Sequence, residues 1–345
     1  MSDRRTDGGA TSGSRFDVAT QDEMSRRERA EVFYDQSIRA PFRILWEDWR
    51  GRIGVLILGG YVLMGTVGVV VVDVPFPNDG PILVPPFTNP QFPLGTDGLG
   101  QGMLALIIHS TPAMLEMVAV GALFATGVAV GLGTLSGYDA GVIDRVIMTA
   151  TDIVITIPGL PLVLVISSII QPRDPAVVAI VLAIDNWPGL TRSLRSQVLT
   201  LRRESYVEAS RALGLPTTRI LRKDIIPQLM PYISINFMGA ARGIIFNSVG
   251  LYFLGVLPFS NLNWGVIMNL GQKQGALYTL RTVHWILIPM VAIVLFSLSL
   301  ILISQGFDSV FNPRVRARHA STINVDQQLE EEEGADTTIG VRTQQ

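Results

Sequence analysis

Residues 205–227 read SYVEASRALGLPTTRILRKDIIP, and they place a short amphipathic helix on a basic loop between two long apolar runs. Ser205 followed three residues later by Glu208 is a capping-box signal, Gly214 supplies a C-terminal stop, and Pro216 prevents the helix from continuing. The spacing predicts a helix from Tyr206 to Leu213. Tyr206, Ala209, Ala212 and Leu213 share one face of it, while Glu208 and Arg211 are expected to pair, three apart, on the other. One face is free to dock and the other stays wet, which is how a chain presents itself to a partner.

The rest of the chain places that loop in a membrane protein. Hydrophobic residues make up 48% of it and charged residues 16%, against about a quarter charged in an average soluble domain. The charges are clustered: ten Arg precede Ile53, eight Arg or Lys lie between Arg192 and Lys223, and four Arg follow Phe311. A net charge of -2 gives no support for nucleic-acid binding. With no Cys there are no thiolate metal sites, catalytic thiols or disulfides, and the histidines are His109, His284 and His319. The N-terminus is not expected to be a secretory signal, because 52 mostly polar residues precede the first apolar run. Arg outnumbers Lys by 25 to 2, which suggests a GC-rich genome; with the acidic run Glu330–Glu333 it points to a halophilic prokaryote.

A membrane-crossing helix needs about 20 mainly apolar residues, and six such runs are expected. They cover about 53–72, 112–135, 142–170, 176–190, 225–256 and 283–304, with Pro158 and Pro161 breaking the third. The expected fold is therefore all-α and polytopic. Basic residues near the span ends put the N-terminal arm, Arg145, the 192–223 loop and the C-terminal tail on one side, the cytoplasm. Asp73 to Gly95 holds seven Pro and no basic residue, and reads as an extended external loop on the membrane surface. Arg43, Trp46, Trp49, Arg50 and Arg52 suggest an interfacial helix ahead of the first span. The expected organisation is a partly disordered cytoplasmic arm over 1–38, a transmembrane domain over 39–311 and a disordered tail over 312–345.

The quoted stretch resembles a known element. Glu208-Ala209-Ser210, then Gly214, then Asp224, Ile226 and Pro227 are similar to the EAA loop of ABC importer permeases, with Ser210 in place of the second Ala and Ile226 in place of Leu. The resemblance implies that Ser205, Tyr206, Glu208, Ala209, Ser210, Arg211, Gly214, Asp224, Ile226 and Pro227 make the ATPase-coupling element, and that the fold is the six-helix type I importer permease. Further along the chain, PLGTDGLG (93–100), SGYDAGVIDRVIMTATD (136–152), WPGLTRSLRSQVLTLRRESYVEASRALG (187–214), LYFLGVLP (251–258), Trp264-Gly265, HWILIP (284–289) and Asn312-Pro313-Arg314 resemble, in order, landmarks of the oligopeptide, dipeptide and nickel permease family. The departures are Phe92 for His, Gln101-Gly102 for Arg-Asp, Ala140 for Gly, Thr149 for Arg and Asn247 for Glu. They touch the substrate class more than the transporter class, because the coupling loop is intact.

Within the spans Glu116, Asp152, Asp185 and Arg242 are costly side chains that invite a functional reading as proton or cation sites. Pairing with Arg242, capping of broken helices or an interfacial place are their structural alternatives, and Asp185-Asn186 reads as a helix end. Pro158, Gly159 and Pro161 free backbone groups that only protein or a water-filled cavity can satisfy, so they are candidates to line the translocation path. Gly127 and Gly131 have the Gly-x-x-x-Gly spacing of close helix approach, with Gly121 and Gly133 nearby. The chain has no phosphate loop, no His-Glu-x-x-His and no supported Ser-His-Asp arrangement.

It is accordingly not expected to be an enzyme or to bind a cofactor itself. The resemblance implies a permease subunit working with a second homologous permease, two cytoplasmic ATPase subunits that use ATP and Mg, and an extracytoplasmic binding protein, all in the lipid of the cell membrane. Peptides are the expected cargo, with nickel chelates or oligosaccharides as alternatives. An ion-coupled secondary carrier using Glu116, or a non-transporting membrane scaffold, are the rival functions.

Overall fold

Backbone groups inside a membrane have no water to bond, so a chain this apolar crosses it as helices. The computed structural model describes residues 45–311, apart from Glu47 and Ser260. The arm over 1–38, Arg43 and the tail over 312–345 lie outside the described residues. Those described form helices joined by turns, with a lone antiparallel bridge between Thr96 and Gly102. Helix α1, Trp49–Leu63, continues through a π-helical turn into Val69–Val71. After a proline-rich loop come α2 (Met103–Asp139), α3 (Val142–Thr156), α4 (Gly159–Ile170), α5 (Pro175–Ala183) and α6 (Trp187–Leu201). Next are the short helix α7 (Ser205–Ala212), α8 (Thr217–Ile220), α9 (Ile226–Phe253), α10 (Trp264–Lys273) and α11 (His284–Phe311).

Four helical stretches among the described residues are long and apolar enough to cross a membrane: Trp49–Val71, Met103–Asp139, Thr217–Phe253 and His284–Phe307. The pair α3 and α4 makes a fifth if counted as one span, bent by 91°. The bend falls at Ile157–Pro158, where Pro158 takes an extended conformation, whereas Pro161 sits harmlessly in the first turn of α4. The run expected over 176–190 is divided between α5 and α6, neither long enough alone. Asp185 and Asn186 interrupt it, and Pro188 then starts α6.

Close packing is set by small residues. Gly54 of α1 lies on α11, where a Cβ would meet Ser299 O at 2.8 Å and Ile303 Cγ1 at 2.9 Å. The Tyr61 hydroxyl donates to Ala292 O at 2.7 Å, and its ring meets Phe296 edge-on at 5.0 Å beside buried Trp264. Gly127 and Gly131 face open space, so the pair with Gly-x-x-x-Gly spacing named from the sequence makes no helix crossing among the described residues. Gly133 and Gly137, with the same spacing, do. A Cβ on Gly133 would lie 2.8 Å from Thr191 O, and one on Gly137 2.7 Å from Val198 Cβ and 2.8 Å from Arg195 O. Here α2 and α6 approach nearly backbone to backbone.

Trp49, Arg50 and Arg52 belong to the first turns of α1 itself, which Asp48 caps through Arg50 N at 2.9 Å. Ahead of Asp48, Leu45 and Trp46 are helical, and the residues before them lie outside the described ones. The guanidinium of Arg52 lies over the Trp46 ring at 5.8 Å and that of Arg50 over Trp49 at 5.6 Å, a pairing suited to a headgroup level.

The segment between α1 and α2 is cross-braced rather than extended. Leu83 N donates to Asp97 O at 3.0 Å, Thr96 N to Val84 O at 3.1 Å, and Thr96 Oγ1 to Pro81 O at 2.5 Å. Buried Asp97 accepts from Leu99 N and Gln101 N, both at 2.8 Å. Burial pushes its carboxyl above the ordinary range against the pull of those donors. The departures at 92 and 101 serve this loop: the Phe92 ring fills the space over Gly80 and Gly102, and Gln101 Nε2 donates to Pro75 O at 3.0 Å. His284, at the start of α11, ties the loop down through Thr96 O at 3.1 Å.

Candidate functional site

Helix α7 is eight residues long and cannot be stable alone, so its conformation comes from its caps and from what it packs on. Its C-terminal stop is as the sequence predicts. Gly214 has φ +71°, its N–H donates to Arg211 O at 3.0 Å, and Leu215 N donates back to Ser210 O at 3.2 Å. Those are the two bonds of a Schellman ending. The N-terminus is a correction. The tight turn out of α6, with Arg203 N on Thr200 O and Glu204 N on Leu201 O, puts the last extended residue at Glu204. Ser205 is therefore already helical, no side chain caps the helix, and the capping box between Ser205 and Glu208 does not form.

One residue anchors α7 inward. Val207 is fully buried in a cluster with Ala129, Leu194, Val198, Ile220, Ile225 and Leu229, which joins α2, α6 and the start of α9. Tyr206, Ala209, Ala212 and Leu213 face outward, and Leu213 is 78% exposed. An apolar face on a basic loop thus stands uncovered among the described residues. Burial together with the carboxylates of Glu204 and Asp224 pushes the Tyr206 phenol up from its ordinary value.

Arg211 does not pair with Glu208; its guanidinium lies over the Tyr138 ring at 5.3 Å. Arg202 donates to Gly137 O at 3.3 Å and Tyr138 O at 3.2 Å, satisfying carbonyls at the negative end of α2. With Asp139, Arg203 and Glu208 these side chains line a cleft of about 360 Å³. The loop is thereby fixed to the far end of a membrane helix. Asp224 sits in the π-helical turn Leu221–Ile225, with a buried Oδ2 that has no hydrogen-bond partner among the described residues. Ile226 is half-buried, and Pro227 opens α9 on the surface.

The structure brings Ser205 through Gly214 and Asp224 to Pro227 into one region. Pro158, Gly159 and Pro161 lie elsewhere, at the bend between α3 and α4. Sequence reasoning missed Val207, Arg202 and Tyr138. Of these only Tyr138 carried a signal, as an aromatic residue at the end of a long apolar helix.

The remaining charges hold α3 to α6. Arg192 pairs with Asp152, so Arg242 is not the partner of that carboxylate. Arg195 grips Asp144 through Nε at 2.5 Å and Nη2 at 2.6 Å, and Ser136 also donates to Asp144. Glu116 and Arg242 are exposed side chains of α2 and α9. Among the described residues no three His, Asp or Glu are grouped as metal ligands.

Residues 129–317, which include α7, match the family described as binding-protein-dependent transport system inner membrane component. The chain is 28% identical over 238 residues to the dipeptide transport system permease protein of Bacillus subtilis, covering 68% of this chain and 71% of that one. It is 25% identical over 299 residues to the glutathione transport system permease protein of Pectobacterium atrosepticum, covering 83% and 95%. Identity to the oligopeptide transport system permease protein of Bacillus subtilis is 28% over 197 residues, covering 54% and 61%.

Proposed function

The chain belongs to the family of binding-protein-dependent transport system inner membrane components, and on that premise we propose that it forms half of the membrane pathway of an ATP-driven peptide importer. The observation that carries the reading is α7: a helix held from behind by Val207, ended by Gly214 and bare on its apolar outer face. Residues 205–214 with Asp224, Ile226 and Pro227 are the docking element for a cytoplasmic ATPase, and ATP with Mg is bound and hydrolysed in those separate subunits. Closure of two ATPases draws two such helices together and rocks the spans between outward-open and inward-open states. A second homologous permease supplies the other helix, and an extracytoplasmic binding protein delivers cargo. Relatives named for dipeptide, oligopeptide and glutathione transport support a peptide or peptide-like substrate. Purification of the tagged chain from its host membrane should bring down ATPase subunits and a second permease. Recovery of the chain alone, under conditions that keep other membrane complexes whole, would count against the assignment.

Six spans, with the arm over 1–38 and the tail over 312–345 on the cytoplasmic side, complete the proposal. The lack of Cys makes a labelling test direct. Gln91 and Ser205 are both exposed, so Gln91→Cys should react with an impermeant maleimide from outside and Ser205→Cys only after the inner face is opened. Equal labelling of both from outside would refute the orientation.

A further inference from the structure

Two of the interrupted helical segments are interrupted against each other. The α3–α4 bend lies at Ile157–Pro158, the α5–α6 break at Ile184–Asn186, and the carboxylate of Asp185 rests on Gly159, leaving no space there for a Cβ. At 1.5 Å per residue, Asp185 is roughly 16 Å along the chain path from Asp174 at the start of α5, and Gly159 roughly 18 Å from Gln171 at the end of α4. Those lengths are about half of a hydrocarbon core of about 30 Å. The two breaks therefore meet near mid-depth.

The carboxylate there lacks a cationic partner among the described residues. Asp185 Oδ1 accepts from Asn186 Nδ2 at 2.9 Å, while the ion pairs of this region, Arg192 with Asp152 and Arg195 with Asp144, use other acids. Asp185 is half-exposed and faces the first turn of α4, whose positive end favours an anion. A charge left in hydrocarbon is costly, so such a group persists where it borders the bundle interior or a water-filled cavity. The backbone groups freed at the two breaks need the same wet surroundings. Beside it, a Cβ on Gly243 of α9 would lie 3.5 Å from Asn186 Oδ1. The preceding residue, Arg242, is exposed and makes no ion pair among the described residues.

We infer that Asp185 is a recognition point for a protonated amine on the cargo as it passes mid-membrane, so that the importer favours peptides carrying a free ammonium group. This rests on the peptide-importer reading and adds to it a substrate feature and the residue that reads it. An ammonium donor to a carboxylate forms a charge-assisted bond, stronger than one between neutral groups. The N-terminal amine of a peptide supplies one in every cargo molecule.

The test uses the whole transporter in proteoliposomes with its binding protein. ATP-driven uptake is measured for one uncharged-side-chain peptide and its N-acetylated form, each scaled to binding by the delivery protein alone. Asp185→Asn should lower the free-amine rate relative to the acetylated rate by about tenfold, and Asp185→Glu should keep the preference. Should Asp185→Asn not assemble, the smaller Asp185→Ser carries the same expectation. An equal fall for both peptides, or no change in their ratio, overturns the inference while leaving the importer reading intact. Restoration of uptake by Asp185→Arg combined with Arg242→Asp also overturns it, since the two side chains would then be partners for each other. A wild-type transporter that takes up neither peptide would instead refute the importer reading itself.

Discussion

Gly137→Leu should lower the temperature at which the assembled transporter falls apart, whereas Gly131→Leu should leave it near the wild-type value. Both glycines lie on α2 and both substitutions raise helix propensity by the same amount. They differ in what they meet. Gly137 has Val198 Cβ 2.7 Å and Arg195 O 2.8 Å from the place a Cβ would take, and Gly131 has nothing within 4 Å. The near atoms at Gly137 include backbone of α6, which cannot rotate away as a side chain would. Overpacking of this kind typically costs 1–3 kcal/mol, occasionally more, out of a stability of roughly 5–15 kcal/mol. The damage also reaches function, because α6 leads directly into α7 and Val198 is one of the residues against which Val207 packs. The measurement is the fraction of detergent-solubilised complex that remains monodisperse on size exclusion after graded heating. Equal behaviour of the two variants would mean that the α2–α6 crossing is not as close as described.

That contrast also shows where sequence reading ends. Gly127–Gly131 and Gly133–Gly137 have identical spacing, and only the position of α6 decides which pair is a contact. Residues six apart on a helix point about 240° from each other, so choosing one pair amounts to knowing the neighbour. The same holds for α7. Its length, its stop at Gly214 and its outward apolar face were legible because local chemistry fixes them. The inward anchor was not, since Val207 and Leu213 are equally apolar and an eight-residue helix has only about two turns, too few for a periodic pattern to break the tie. The divided segment α5–α6 was legible only in part. Asp185-Asn186 reads correctly as an interruption, but α6 carries Thr, Arg, Ser and Gln at positions that leave it low in hydropathy while Thr191, Leu194 and Val198 are buried. A scan for apolar runs stops at Leu190 for that reason. The capping box failed for a different one: the tightness of the α6–α7 turn moved the last extended residue to Glu204, which local pattern alone does not reveal.

Gly214→Val should abolish transport and the stimulation of ATP hydrolysis by loaded binding protein, with the complex still inserted and assembled. The argument rests on backbone rather than on space. Gly214 has φ +71°, and a Cβ there would meet nothing within 4 Å, so no clash masks the conformational effect. A left-handed conformation costs an L-residue about 1–2 kcal/mol, and a β-branched side chain tolerates it worst. Leaving that conformation breaks the bonds from Gly214 N to Arg211 O and from Leu215 N to Ser210 O, which end the helix and turn the chain toward α8. The apolar residues Tyr206 and Leu213 would then be presented at a different angle, and a rigid coupling element would become a loose one. Gly214→Asn separates this account from a simple intolerance of any side chain at the position. Asn enters the left-handed region readily, so it should retain most of the transport rate. The decisive reading is the ratio of loaded-protein-stimulated to basal ATPase activity in the reconstituted complex: near one for Val, close to wild type for Asn. If Val and Asn behaved alike, either both active or both inactive, the helix-ending role of Gly214 would fall, and with it the reason for treating α7 as the coupling element.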